Sequence, residues 1–205
     1  GTDSLRIREG EQLSIQDRLV IKSGGNVGIG TTAPASKLDV AGNIHASGTI
    51  ASGNSITIDG TGGSENITSS GNLELRIAGG RAFRLENNVS PNLIGGFNGN
   101  SVTTNMFGAT IGGGGAAGQI NQVTNFFGTV SGGEGNVAGG DNSTVSGGFQ
   151  NTASGLRSAV GGGSQNIASG IRSTVGGGLD NTASASQSTI GGGLTNTAGG
   201  QMSTI

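Results

Sequence analysis

A branched aliphatic residue recurs every fifteen positions in the C-terminal half of this chain, with polar residues before it and glycines after it. The repeated phrase reads S-T-[VI]-G-G-G-x-x-N-x-A-S-G-x-x and is clearest over residues 143–205. Fifteen residues are too few for a pair of helices, but they suffice for two short strands and two tight turns. The pattern therefore predicts a parallel β-solenoid with one coil per repeat. The aliphatic column comprises Val130, Val145, Val160, Val175, Ile190 and Ile205.

Two further positions keep the same period. One column is alanine, at Ala153, Ala168, Ala183 and Ala198, and the other is asparagine, at Asn151, Asn166, Asn181 and Asn196. Alternation within a strand sends the aliphatic residue and the alanine to the interior of the coil. Two explanations are open for the asparagines: a hydrogen-bonded stack along the solenoid axis, or a left-handed turn, which asparagine tolerates. We interpret the three columns as the core ladder of the solenoid.

The period loosens towards the N-terminus, where Ile111 precedes Val130 by nineteen residues and Ile94 precedes Ile111 by seventeen. We expect irregular first coils and a loop insertion that carries Phe126 and Phe127. An exposed aromatic pair on a loop is a candidate surface contact. The alternative is that the pair plugs the irregular coil or packs between chains.

Residues 1–92 lack the period, but apolar and polar residues alternate between glycine turns. Each apolar pair marks one face of a short strand, and the stretch around Gly79 and Gly80 predicts a hairpin. The strand pairs are Leu5 with Ile7, Leu13 with Ile15, Val27 with Ile29, Leu38 with Val40 and Ile56 with Ile58. We divide the chain into β-rich shaft segments over 1–58, a β-hairpin connector over 59–92 and solenoid repeats over 93–205.

Composition narrows the class of structure. Glycine accounts for 45 of the 205 residues, and hydrophobic residues for only 31%. A conventional core would be underfilled, which leaves a disordered chain or an array of small stacked side chains. The formal net charge of −2 and the two prolines favour the array, because disorder usually brings high net charge and much proline.

A single coil of this composition buries too little apolar surface to be stable alone. Burying a valine contributes roughly 1.5–3 kcal/mol, whereas ordering each residue costs about 1–2 kcal/mol. The solenoid therefore needs many coils, a cap or sister chains. We expect a homotrimer with its hydrophobic columns turned to the shared axis.

The repeat resembles the head repeats of trimeric autotransporter adhesins, although it is one residue longer and has asparagine where those repeats more often have alanine or serine. The segment "GNVGIGTTAPASKLDVAGNIHASGTI" at 25–50 resembles shaft segments of phage tail fibres and bacterial surface fibres. Residues 79–103 resemble the joint that precedes the β-roll in such surface proteins. The resemblances imply an all-β trimeric fibre, with N-terminal β-hairpin shaft segments followed by a left-handed parallel β-roll.

The sequence offers little that could carry out chemistry. It has no cysteine, and its one histidine, His45, cannot form a triad or a zinc site by itself. Gly25, Gly28 and Gly30 follow the order G-x-x-G-x-G, which is not that of a dinucleotide-binding loop. We expect no enzyme activity and no catalytic, cofactor-binding or metal-binding residue. Without a basic cluster or a long apolar run, we expect neither nucleic-acid binding nor membrane insertion.

These features predict a structural component of an extracellular homotrimeric fibre, on a virion tail or a cell surface. Its partners would be its own copies and, through a tip outside residues 1–205, a cell-surface glycan or protein. The pattern opens and stops in mid-repeat, so we expect a piece of a longer protein. The alternative is a ligand- or ice-binding solenoid, based on an outward column of Thr144, Thr174, Thr189 and Thr204 that Ala159 interrupts.

Overall fold

The computed structural model describes residues 4–8, 17–42, 44, 47 and 69–205. The chain falls into two compact units, 1–65 and 66–205, and each is described by itself. Four features expected from the sequence lie outside the described residues: the strands at 13–15 and 56–58, the residue His45 and the boundary between 58 and 59.

The first unit contains a four-stranded sheet. Its strands are β1 Ser4–Arg8, β2 Asp17–Lys22, β3 Val27–Ile29 and β4 Leu38–Val40. They lie in chain order, with β1–β2 and β2–β3 antiparallel and β3–β4 parallel. Gly25 closes the β2–β3 turn with a positive φ of 77°, and its N–H donates to the Lys22 carbonyl at 2.8 Å. Val20 is fully buried, whereas Leu5 is 64% exposed.

The second unit starts with an antiparallel hairpin. Its strands are β5 Leu73–Ile77 and β6 Gly80–Glu86, and β6 then pairs with β7 Asn92–Gly95. The hairpin turn is Ala78–Gly79, and both residues have positive φ, 50° and 80°. Such a turn matches the right-handed twist of the strands it joins.

The remaining strands are each two residues long, and every coil contributes two of them. They are β8 Ser101–Val102, β9 Thr110–Ile111, β10 Gln122–Val123, β11 Thr129–Val130, β12 Val137–Ala138, β13 Thr144–Val145, β14 Thr152–Ala153, β15 Ala159–Val160, β16 Ile167–Ala168, β17 Thr174–Val175, β18 Thr182–Ala183, β19 Thr189–Ile190 and β20 Thr197–Ala198. No helix occurs among the described residues, and so none that is long and apolar enough to cross a membrane.

The coils stack into two sheets. The aliphatic sheet has nine strands, the odd-numbered strands β7 to β19 with the hairpin β5–β6 added beside β7. The alanine sheet has seven, the even-numbered strands β8 to β20. From β7 onwards every neighbouring pair is parallel and in register, as when Val145 pairs with Val160. The all-β parallel solenoid predicted from the fifteen-residue period is confirmed.

The core lies between the two sheets of the same chain. Val145 and Ala153, which face inwards from opposite sheets, belong to one buried cluster and are both 0% exposed. This corrects one prediction: the hydrophobic columns do not face an axis shared between chains but are buried inside a single chain. The interior is narrow enough for alanine opposite valine to fill it, so one chain closes its own core.

The hairpin covers the first coil. Arg81 is only 8% exposed, and its Nη2 donates to the carbonyls of Asn100 at 2.7 Å and Phe97 at 3.2 Å. Burial, and then the neighbouring Arg84 guanidinium, lower the pKa of Arg81 below its usual value. These bonds occupy carbonyls that no preceding coil covers, which is the task of a cap in a repeat protein.

Candidate functional site

The aliphatic and alanine columns lie where the period placed them, with one departure. Ile205 is 52% exposed because no coil stacks on its far side, although its N–H still donates to the Thr189 carbonyl at 2.9 Å. The fully buried members are Val130, Val145, Val160, Val175, Ile190, Ala153, Ala168 and Ala183, and Ala198 is 1% exposed.

The asparagine column forms a continuous hydrogen-bonded ladder. The Nδ2 of Asn166 donates to the Gly162 carbonyl in its own coil and to the Gly178 carbonyl in the next, both at 2.9 Å. It also lies 3.1 Å from Asn151 Oδ1, and since the amide has two hydrogens one of them is shared. Asn166 Oδ1 accepts the backbone N–H of Asn181 at 3.0 Å. Asn166 thereby links three coils.

The alternative explanation placed the asparagines in a left-handed turn. Such a turn is present, but it is formed by the residue before each asparagine. The residues with positive φ are those immediately before the asparagines: Gln150 at 52°, Gln165 at 57°, Asp180 at 58° and Thr195 at 54°. Asn151, Asn166 and Asn181 are fully buried, and Asn196 is half-buried. Each asparagine amide therefore gives the glycine carbonyl of its own coil a donor and adds a second donor to the glycine carbonyl of the next coil, such as Gly178, which already accepts the Ser164 N–H at 2.9 Å.

The ladder reaches further towards the N-terminus than the period indicates. Asn121 donates its backbone N–H to Asn100 Oδ1 at 3.0 Å, and Asn136 repeats this contact with Asn121. Sequence reasoning missed Asn100 and Asn121 because an insertion separates them by twenty-one residues. The sequence signal that could have identified them is their position: each asparagine directly precedes a short strand, as it does in every later coil.

A column of buried serines was also missed. Ser143, Ser158, Ser173 and Ser188 are at most 1% exposed, and each backbone N–H donates to the carbonyl three residues earlier. The signal was the serine that opens each repeat. These hydrogen bonds close the second turn of each coil, which joins the alanine strand to the next aliphatic strand.

The first turn of each coil joins its aliphatic strand to its alanine strand, as residues 176–181 join β17 to β18. This turn needs glycine for two separate reasons. Gly178 has φ of 96°, and a Cβ at that position would overlap the Gly193 carbonyl and lie 2.7 Å from Asn181 Nδ2. The neighbouring Gly177 has neither constraint, since its nearest atom would be 3.9 Å away. The ladder and the glycine turn are thus one unit, in which the amide reaches a carbonyl that only glycine leaves accessible.

The first turns form one edge of the solenoid, which we call the acidic edge. It consists of residues 134–135, 149–150, 164–165, 179–180 and 194–195, and β-bridges join the first residues of neighbouring pairs from coil to coil. Phe149, Leu179 and Leu194 are 41%, 42% and 61% exposed. Glu134 and Asp180 are its exposed charges.

The second turns form the opposite edge, which we call the basic edge. It consists of residues 126–127, 141–142, 156–157, 171–172, 186–187 and 201–202. Leu156 and Ile171 are 40% and 49% exposed, and Arg157 and Arg172 are exposed beside them. Asp141 is half-buried, and its Oδ1 accepts the Phe126 N–H at 3.3 Å.

The predicted aromatic pair lies at the N-terminal end of the basic edge. Phe107 packs against Phe126 with ring centroids 4.8 Å apart and against Phe127 at 5.4 Å. Phe126 is half-buried, whereas Phe127 is 47% exposed. Contrary to the expectation from the sequence, the pair is not on the insertion: the extra residues precede Asn121 and contain the Ala116–Gln119 bridge, because the fifteen-residue register already holds from β10 and β11 onwards. The three rings pack against one another outside the buried core and leave the outer face of Phe127 available for a contact.

The threonines divide between the two faces. Thr144, Thr174 and Thr189 point outwards from the aliphatic sheet, where Ala159 interrupts them, and Thr204 lies beyond. A second column, including Thr152, Thr182 and Thr197, points outwards from the alanine sheet. Each face therefore carries one rank of threonines.

Within the described residues, no group of three or more His, Cys, Asp or Glu side chains is arranged to hold a metal ion. A polar depression beside the hairpin includes Glu86, Asn87 and Thr103 in its lining. Glu86 is already engaged, with Arg84 at 2.6 Å and Asn92 at 2.8 Å. The depression offers hydrogen-bonding groups and no identifiable acid–base pair.

Comparisons with known proteins add no assignment. Neither the protein-family models, nor the curated proteins, nor the solved structures contain a match to this chain.

Proposed function

We propose that this chain is a structural component of a homotrimeric extracellular fibre, a phage tail fibre or a bacterial surface adhesin. The proposal rests on the composition of the interior: from β12 onwards, the buried side chains of the coils are those of the aliphatic, alanine, asparagine and serine columns. Such an array extends by adding coils and gains stability at each coil-to-coil interface. A product of this kind is a stiff rod.

The length of the rod follows from the ladder. Seven strands stacked in the alanine sheet, at about 4.8 Å per step, span roughly 30 Å. A longer array of the same coils would hold a recognition tip away from the particle or cell that carries it. The resemblance to tail fibres and adhesin heads supports this role.

Mass measurement tests the oligomeric part of the proposal. Light scattering of the purified chain is expected to give three times its mass of 19.8 kDa, and small-angle scattering an elongated particle. A stable monomer at micromolar concentration would contradict the fibre assignment. Antibody labelling of intact virions or cells tests the location, and labelling that requires lysis would contradict it.

A second candidate is a ligand- or ice-binding solenoid, for which the threonine columns are the supporting observation. Ordered water on a solenoid is favoured by parallel ranks of threonine on one flat face. Here the two ranks lie on opposite sheets, so the fibre is the better-supported function.

A further inference from the structure

The two edges of the solenoid carry opposite charge. Segment 92–205 contains only five charged residues, and all five lie on the turn edges. Glu134 and Asp180 are on the acidic edge, and Arg157, Arg172 and the half-buried Asp141 are on the basic edge. Among the described residues, none of the four exposed charges forms a salt bridge. Each edge therefore offers charge that its own chain does not neutralise.

Both edges also expose apolar side chains next to those charges. Leu179, 42% exposed, precedes Asp180 on the acidic edge, and Ile171, 49% exposed, precedes Arg172 on the basic edge. The two pairs have the same order along the chain, apolar residue first and charged residue second. An apolar contact flanked by an ion pair is the usual composition of a specific protein interface.

The two pairs lie at nearly the same height along the solenoid axis. Residues 171–172 lie between β16 and β17, and residues 179–180 lie between β17 and β18. They are therefore about half a coil apart, roughly 2.4 Å along the axis. In a closed ring of parallel copies, neighbours are not displaced along the axis, so Ile171 faces Leu179 and Arg172 faces Asp180 across this small offset, which a long arginine side chain spans.

We propose that copies of this chain pack edge to edge, with the basic edge of one copy against the acidic edge of the next, and Arg172 paired with Asp180 across the contact. The occupant is a second copy because it presents the complementary charge at the same fifteen-residue period. Joining unlike edges is a heterologous contact, which closes into a ring when the rotation permits. The inference rests on the proposed homotrimer and adds which surfaces build it.

Cysteine cross-linking tests the contact directly, since the chain has no cysteine of its own. Ile171 and Leu179 lie on opposite edges of one coil and have ordinary negative φ, so cysteine is tolerated at both. The double variant I171C/L179C is expected to give covalent trimers on oxidation, because a disulfide needs Cα atoms within about 7 Å. The single variants I171C and L179C are expected to give none. Covalent dimers from L179C alone would overturn the proposal, since like edges would then meet.

Charge exchange gives an independent measurement. Arg172→Asp and Asp180→Arg each place like charges across the contact, and each is expected to raise the concentration for half-dissociation of the trimer at least about tenfold, as three pairs turn repulsive. The combination R172D/D180R is expected to restore assembly. Both positions have positive φ, 57° and 58°, so each accepts the residue that the other already holds. Dissociation unchanged by the single exchanges would overturn the pairing.

Two controls separate this contact from its alternatives. Arg157→Asp lies one coil away, where the neighbouring copy presents Ser164 and Gln165, and is expected to change dissociation much less. Thr174→Lys, on the outer face of the aliphatic sheet, is expected to leave the trimer intact, and its loss would show face-to-face packing. A monomeric parent chain defeats both the fibre and the edge contact. A trimer in which I171C/L179C does not cross-link defeats the edge contact alone.

Discussion

The backbone N–H of Asn181 donates a 3.0 Å hydrogen bond to the side-chain oxygen of Asn166, fifteen residues earlier. The same contact joins Asn166 to Asn151 and Asn196 to Asn181. Every acceptor belongs to the preceding coil, so the ladder has a direction as well as a period. Each coil supplies a preformed acceptor for the next, which couples the stability of neighbouring coils.

Asn166→Ala is expected to destabilise the solenoid by at least about 2 kcal/mol. The substitution leaves the Gly162 carbonyl and the Asn181 N–H without a partner, and each unpaired group costs about 1–3 kcal/mol, whereas the Gly178 carbonyl keeps the Ser164 N–H at 2.9 Å. Denaturant unfolding measures the change, with Ser164→Ala as the control in the same turn. Equal stability of the two variants would contradict a structural ladder.

Asn166→Asp is expected to make stability depend on pH. Its carboxylate would face the same two carbonyls and the Asn151 oxygen, so folding raises the pKa of the introduced group above the unfolded value of about 3.9. Below about pH 3.9 both states are protonated and the variant is closest to the parent; the penalty grows as pH rises through the folded pKa. Thermal unfolding of both proteins between pH 3 and 7 measures it. A difference that does not vary with pH would contradict the carbonyl contacts.

Gly178→Ala is expected to cost at least about 2 kcal/mol, because it combines a positive φ with overlap onto a backbone carbonyl. Gly177→Ala, one residue earlier, has open space and is expected to change stability by less than about 1 kcal/mol. Thermal unfolding of the matched pair distinguishes conformational demand from a general intolerance of larger residues. A similar loss in both variants would contradict the account of the turn.

Arg81→Met is expected to weaken the N-terminal cap by about 2–4 kcal/mol, since it removes two charge-assisted hydrogen bonds to the Phe97 and Asn100 carbonyls. Hydrogen exchange should rise first in the coil that contains β8 and less in the coil that contains β19. Arg76→Met on the same hairpin, whose side chain is 56% exposed, is the control. Uniform exchange along the solenoid after Arg81→Met would contradict a local cap.

No thermal hysteresis is expected from the purified chain at millimolar concentration. Neither sheet carries two adjacent ranks of threonine, and Ala159 interrupts the column on the aliphatic sheet. Ala159→Thr completes that column as a comparison and is expected to be neutral. Clear hysteresis in the parent would support the ice-binding candidate over the fibre.

The sequence by itself determined the architecture of the regular coils. A fifteen-residue period in Val160, Ala168 and their equivalents leaves little freedom, because strand alternation and glycine turns permit few ways of winding so short a repeat. The same period marked the asparagines. It could not choose between a stack and a left-handed turn, since both occur in solenoids and only the φ angles distinguish them.

The tertiary structure decided what depends on contacts between distant residues. It closed the Val145 column against Ala153 within one chain, where composition had suggested a shared axis. It placed Arg81 on the carbonyl of Asn100, nineteen residues away, and separated Asp180 from Arg172 onto opposite edges. A sequence period identifies which residues are equivalent. The position of each column in space depends on the two turns in each repeat and on the packing of the two sheets against each other.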